Sequence, residues 1–240
     1  MIVEVCANSF ESAKNAQIAG AQRIELCAEL GVGGVTPSYG MLKKVMNELT
    51  IAVNVLIRPR SGDFTYSDAE FAIMKQNIVL CKELGCNGVV AGVLHKNFTL
   101  DIERTQELID ASGDMMFAFH RAFDWVQNPK ATFIQLQEMG VNAILTSGQQ
   151  KSAPDGFALL AELNKLSTTC KIMPGGGIRT TNVDAFKSEG FSALHMSGSK
   201  FHQTLNNEPP FSMNSPSFLK EDQVSISDME TIKNVVNHVK

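Results

Sequence analysis

At 240 residues, 44% hydrophobic and 19% charged, the chain holds enough apolar material to close one large core, and its length suits a single barrel-sized domain. A formal charge of −4, with no basic run longer than two residues, excludes the positive stripe that a nucleic-acid backbone demands. No apolar run approaches the ~18 residues of a membrane span, and the five scattered cysteines (Cys6, Cys27, Cys81, Cys86, Cys170) suit reduced thiols, so the expectation is a soluble cytoplasmic protein.

Short β-rich runs alternate with helical patterns along the chain. IVEVC (2–6) precedes a helix over about 9–20, RIELC (23–27) one over 38–49, IAVNVLI (51–57) one over 67–85, and GVVAGVL (88–94) one over 99–112. MMFAFH (115–120), NAILTSG (142–148) and KIMPGGG (171–177) precede patterns over 128–140, 153–168 and 180–190, and SALHMSG (192–198) is the eighth run. This alternation predicts parallel strands joined by right-handed crossovers, and eight such units favour a closed (β/α)8 TIM barrel over an open sheet with edges to protect. Ser67 and Glu70 have capping-box spacing, as do Ser227 and Glu230 in the final helical segment, 226–240, while Gly20, Gly85, Gly140 and Gly190 suit helix C-termini. The stretch 199–225, rich in Asn, Pro and Ser, is irregular and too long for an ordinary connection. It follows strand eight and so lies at the barrel mouth, as a lid or rim over a site or as a surface loop. All of 1–240 is read as one domain.

In such a barrel one strand face meets the helices, where a charge is costly, so polar strand residues mark the interior. Glu4 and Glu25 set the parity of the first two strands, and two residues on, the same faces bring Cys6 and Cys27 to neighbouring strand ends. The same alternation points Asn54, Arg58, His120, Thr146, His195 and Ser197 inward, most of them toward the C-terminal mouth where barrel enzymes keep their chemistry. The set is read as a site; a satisfied internal network is the other reading for any one member.

Pro174 stops strand seven, and Gly175, Gly176 and Gly177 carry no Cβ to hold a ligand off the backbone amides. Thr180 or Thr181 can cap the next helix, and a second small turn, Ser197, Gly198 and Ser199, follows strand eight; together they suit a phosphate or carboxylate. Arg58 and Arg60 stand just past strand three with Asp63 in pairing range, either gripping an anion or forming a rim ion pair. His120 ends strand five with Asp124 behind it, as a proton-transfer pair or a structural contact. No lysine occupies a strand end at the mouth, since Lys171 begins strand seven, which disfavours Schiff-base chemistry.

ELCAELGVGGVTPSYG, IRPRSGDFTYS, FHRAFD, ILTSG, SAPDG, IMPGGGIR and HMSGS, in this order up to about Lys200, resemble the CutC family, named for copper homeostasis. The resemblance implies a cytosolic TIM barrel, often a homo-oligomer, with Cu(I) bound through cysteines, which places it on Cys6 and Cys27. Soft Cu(I) favours thiolates, and two can suffice. Two functions follow from the sequence. One is Cu(I) binding or handling at Cys6 and Cys27. The other is an enzyme acting on a small anionic or phosphorylated metabolite, with Glu25, His120 and Asp124 as acid–base groups, Arg58 stabilising developing charge, and Arg60, Gly175–Gly177 and Ser197–Ser199 gripping the anion.

Overall fold

The computed structural model describes residues 1–213 and 220–240. Eight strands, β1 (Ile2–Ala7), β2 (Arg23–Leu26), β3 (Ala52–Leu56), β4 (Gly88–Ala91), β5 (Met116–Phe119), β6 (Ala143–Thr146), β7 (Lys171–Pro174) and β8 (Ala193–Met196), form one parallel sheet. Their order is β7-β6-β5-β4-β3-β2-β1-β8. A single parallel bridge, Gly175 with His195, closes the ring between β7 and β8. Helices α1 (Phe10–Ile18), α2 (Tyr39–Glu48), α3 (Asp68–Glu83), α4 (Ile102–Ser112), α5 (Pro129–Glu138), α6 (Phe157–Leu166) and α7 (Val183–Ser188) cover its outside, and α8 (Met229–Val239) completes the shell. The protein is a (β/α)8 TIM barrel.

Strand parity sorts the core into two layers. Val3, Val5, Ile24, Leu26, Val53 and Val55 pack with residues of the helices, such as Phe133 and Leu136, in the main apolar cluster. Alternate positions turn inward, where Cys6, Cys27, Leu56, Val90, Ala118 and Ala143 form a separate cluster. Strand six departs from the sequence expectation. Ile144 belongs to the strand–helix layer while Ala143 and Leu145 belong to interior clusters, so Thr146 shares the outward face of Ile144.

Local signals resolve most boundaries. The Ser67 hydroxyl and the Glu70 carboxylate form a full capping box on α3. Gly20, Gly85, Gly140 and Gly190 all take positive φ after helices, the conformation glycine adopts at least cost. Two caps differ from expectation. Asp228, not Ser227, caps α8, because Ser227 ends a strand and its N–H donates to Ser12 Oγ at 3.0 Å. Asn182, not Thr180 or Thr181, stands at the cap of α7; its Oδ1 accepts from Arg179 N–H at 2.9 Å and its Nδ2 donates to Gly177 O at 2.9 Å.

The stretch 199–225 is not irregular throughout. β9 (Ser199–Gln203) and β10 (Gln223–Ser227) pair antiparallel, giving it regular ends; 214–219 lie outside the described residues. The base of this arm is pinned to α1 and the loop before it, through Asn15 Nδ2 to Ser227 O (3.0 Å) and Asn8 Nδ2 to Ser225 O (3.2 Å).

Candidate active site at the barrel mouth

A chain of charged side chains climbs the barrel axis. Glu4, fully buried, accepts a very short hydrogen bond from Arg23 Nε, one from Asn54 Nδ2 at 3.0 Å, and pairs with His195 Nδ1 at 3.0 Å. The other imidazole nitrogen, Nε2, stands 3.5 Å from Glu25 Oε2. Cys6 lies beside that pair, and one ligand atom each from Cys6, Glu25 and His195 fall within 4.8 Å of one another. Arg23, on the inward parity of β2, is the member the sequence reading missed; its alternation with Glu25 was the available signal.

These neighbours set the protonation states. Burial alone would raise Glu4, but the His195 hydrogen bond and the Arg23 charge hold it below the ordinary carboxyl value. Burial would lower His195, yet the hydrogen bond to Glu4 and the charge of Glu25 lift it above the ordinary imidazole value. Burial raises Glu25, with His195 opposing and Glu4 adding to the rise. His195 therefore holds its second proton more tightly than a free imidazole, and Glu25 accepts one more readily than an exposed glutamate. The hydrogen bond to Cys27 and burial push the Cys6 thiol well up, and the two sulfurs stand 3.4 Å apart.

Above this floor opens a cleft of about 940 Å³, lined by Cys6, Glu25 and His195 and by loops from around the ring. His120 lines one side, but Asp124 does not orient it. The His120 Nδ1 accepts the Ala122 N–H at 3.2 Å, which places the ring proton on Nε2, and Nε2 has no partner among the described residues. Burial and the nearby Arg58 charge lower its pKa from 6.5 to about 3, so it is neutral in use and serves as an N–H donor rather than a base. The unfolded imidazole binds a proton near 6.5 and the folded one only near 3. Stability is thus complete above pH 6.5 and falls as pH drops from there toward 3, by up to about 1.4 kcal/mol per unit. His120→Gln is expected to flatten that part of a pH-dependent denaturation curve; an unchanged acid limb would contradict the assignment.

Asp124 is instead saturated with donors. Its Oδ1 accepts from Thr146 Oγ1 (2.5 Å), Ser147 N–H (3.0 Å) and Gln149 N–H (3.1 Å), and its Oδ2 from Arg121 Nε (2.8 Å) and Ser147 Oγ (3.1 Å). A carboxylate so engaged positions the loop after β6 and has no lone pair left for proton transfer, so its place among the acid–base candidates is not supported. Arg60 is likewise spent. All five of its N–H groups are used on Glu70, Ser61 O, Asp63 and Thr65 O, and it does not line the cleft. It is the rim ion pair, not an anion grip. Arg58 does line the cleft, but its Nη1 donates to Val32 O (2.9 Å) and Gly34 O (2.8 Å) and its Nη2 to Gly62 O (2.7 Å), so it chiefly ties two mouth loops together. Its Nε remains without a partner.

The three glycines divide their work. Gly175 donates to Thr146 O at 3.0 Å, and a Cβ there would stand 2.4 Å from Leu145 Cδ1; it serves barrel closure, not the anion-binding role expected of it. Gly176 and Gly177 take φ of +92° and +77° and face the cleft, and among the described residues their N–H groups meet no acceptor. Arg121 and Arg179 line the cleft with them. Arg121 Nη1 stands 3.6 Å from where a Cβ on Gly176 would lie. Ser197, Gly198 and Ser199 line the same cleft, and the Ser199 hydroxyl is buried without a partner. The mouth thus gathers bare amides, two arginines and small hydroxyl groups on one side.

Fold and site together define a (β/α)8 barrel protein with a polar mouth built over a buried Glu–His–Glu array. The CutC family model matches residues 1–200, and the chain belongs to the CutC family. Among its relatives, a family protein CutC of Photorhabdus laumondii subsp. laumondii is 46% identical over 198 residues, covering 82% of this chain and 80% of the relative. One from Edwardsiella ictaluri is 45% identical over 197 residues, covering 82% and 78%. The crystal structure of a proposed copper homeostasis protein, CutC from Streptococcus agalactiae, superposes with a TM-score of 0.77 at 32% identity, covering 82% of this chain and 98% of that one. Residues 201–240, which hold most of the arm and α8, lie beyond the family match. Among the described residues no helix is long and apolar enough to cross a membrane.

Proposed function

We propose that the mouth binds a small anionic metabolite and moves a proton on it, with Glu25 as the group that takes or gives that proton. The observation that carries this reading is the Glu4–His195–Glu25 array beneath the cleft, with contacts of 3.0 and 3.5 Å. Glu4 fixes the imidazole, His195 relays charge, and Glu25 faces the cleft with its proton affinity raised. Gly176, Gly177, Arg121 and Arg179 supply the anion grip. The test is to incubate the protein in D2O with a panel of phosphorylated aldoses, ketoses and 2-oxo acids and to follow C–H to C–D exchange by NMR. Glu25→Gln should slow exchange by at least ~10²-fold while ligand still raises the melting temperature. Undiminished exchange in that variant would overturn the role of Glu25.

The 3.4 Å approach of the Cys6 and Cys27 sulfurs, with the name of the family, supports a second reading: Cu(I) as cargo on these thiols, with Glu25 and His195 beside Cys6. Such binding would expel a proton from Cys6, whose thiol is held well above its usual pKa. At ~2.3 Å per metal–thiolate bond, a linear pair needs sulfurs ~4.6 Å apart, so a linear site would require the two thiols to part from their 3.4 Å approach. In a competitive Cu(I) titration the Cys6→Ser/Cys27→Ser variant should lose binding; an affinity equal to the parent would end this reading.

A further inference from the structure

Three aromatic side chains, each from a different loop, run in contact as a wall from the cleft to its rim; Phe64 and Trp125 line the cleft itself and Phe98 the hollow beside it. Phe64 follows β3, Phe98 follows β4, and Trp125 lies in the short 3₁₀ turn Arg121–Trp125 after β5. The Phe64 and Trp125 rings meet edge to face at 4.8 Å, Trp125 and Phe98 at 6.2 Å, and Phe64 also stands 4.8 Å from the His120 ring. The wall therefore runs from the rim inward to an imidazole with an unpartnered N–H.

Its outer end is open. Trp125 is 46% exposed and Phe98 48%, which is costly for two large aromatic rings unless something covers them. Other exposed aromatics, such as Tyr39 and Phe201, do not line the cleft, whereas Trp125 lines both the cleft and an adjoining hollow of about 300 Å³ shared with Phe98. The hollow is thus a shelf continuous with the site. Phe98 is held there at φ +62°, a left-handed conformation that a bulky side chain rarely adopts. Its N–H donates to His95 O at 2.9 Å, and Gln127 Nε2 donates to Asn97 O at 2.7 Å, tying the Phe98 loop to the Trp125 segment.

The ring order places the Phe64 and Phe98 loops across the mouth from the bare amides, with Trp125, after β5, on the flank between them. In a closed sheet of eight, β3 and β4 stand opposite β7 and β8, whose loops carry Gly176, Gly177 and Arg179. Glu25, Cys6 and His195 form the floor between them. The cleft therefore carries the bare amides and Arg179 at one end and the Phe64 and Phe98 loops at the other, with Arg58 over the Phe64 ring at 5.1 Å, Arg121 in the same turn as Trp125, and the acid–base groups beneath the middle.

We propose that the ligand is an anionic compound carrying a planar ring, its anion on the Gly176–Gly177 side and its ring on the shelf of Phe98 and Trp125. This rests on the anion-binding reading above and adds the ring. Stacking explains why two exposed aromatics are held rigidly beside the cleft, and it adds affinity without sequence-like specificity because any flat ring presents a π face.

Trp125 is the chain's sole tryptophan, so its fluorescence reports on the shelf directly. Inorganic phosphate, ethyl phosphate and phenyl phosphate are titrated into the intact protein, with calorimetry alongside. Phenyl phosphate should bind roughly tenfold or more tightly than ethyl phosphate and should alone quench the tryptophan strongly. Trp125→Ala should bring the two affinities together without weakening inorganic phosphate, and Trp125→Phe should keep most of the difference. Equal affinity for ethyl and phenyl phosphate in the parent overturns the ring proposal and leaves the anion reading standing. Quenching by phenyl phosphate with no binding of the other two sinks the anion reading and keeps the shelf. Silence from all three overturns both.

Discussion

Replacing Glu4 with glutamine will destabilise the barrel by about 3–5 kcal/mol, seen as a lower urea midpoint at unchanged m-value. Glu4 is the fully buried partner of two cationic groups, Arg23 below and His195 above. Glutamine keeps the shape but removes the charge, leaving the Arg23 guanidinium, with a side chain only 13% exposed, without its counter-ion. The site suffers along with the fold, since glutamine offers one acceptor oxygen where Glu4 offers two, and His195 Nδ1 must compete for it with Arg23 and Asn54. Adding Arg23→Met to Glu4→Gln should recover part of the loss, because the second change removes the stranded charge, and Met116 and Met173 already surround it with sulfur. Simple additivity in the double variant would show that the two residues do not act as a pair.

Gly156→Ala is expected to cost about 3 kcal/mol, though the position carries no chemistry. A Cβ there would stand 2.0 Å from Ser147 O and 2.8 Å from Gly148 Cα, both backbone atoms with no rotamer to escape into. The reverse holds at Gly148, where φ is +70° and a Cβ would come 2.3 Å from Gly156 O. The glycines of ILTSG and SAPDG thus touch across the loop after β6. That loop in turn supports the amide-bearing turn, through Ala153 N–H to Gly176 O at 2.8 Å and the close approach of Ser152 to Gly177. Thermal melts of Gly156→Ala should fall, and any ligand held at Gly176 and Gly177 should weaken with them. A melting temperature within error of the parent would mean the loop can open at no cost.

How far the sequence could be read depends on how local each signal is. Strands and helices were legible because a period of two or of 3.6 needs only neighbours, and parity alone placed Glu4, Glu25, Cys6, His120 and His195 inside one ring. Where two local rules competed, the sequence was silent on the winner. Ser227–Glu230 and Asp228–Thr231 have the same cap spacing, and only the pairing of β10 removes Ser227 from contention. Arg60 and Asp124 failed as site residues for a related reason. Their partners Glu70, Ser147 and Gln149 come from other elements, and a side chain's remaining donors or lone pairs cannot be counted until those arrive. Thr146 was misplaced because strand six offers no charge to set its parity. The aromatic wall was invisible for a simpler reason: Phe64, Phe98 and Trp125 lie on three loops with no shared spacing.

The zipper between β7 and β8 has one tooth, the bridge from Gly175 to His195. Every other neighbouring pair of strands is laced over at least two registered positions. Amide deuteration should therefore enter the hoop first along this seam, and the seam carries the imidazole at the heart of the site on one lip and the glycine turn on the other. A hoop that loosens at a single point can widen its aperture to admit a guest while the remaining staves stay locked.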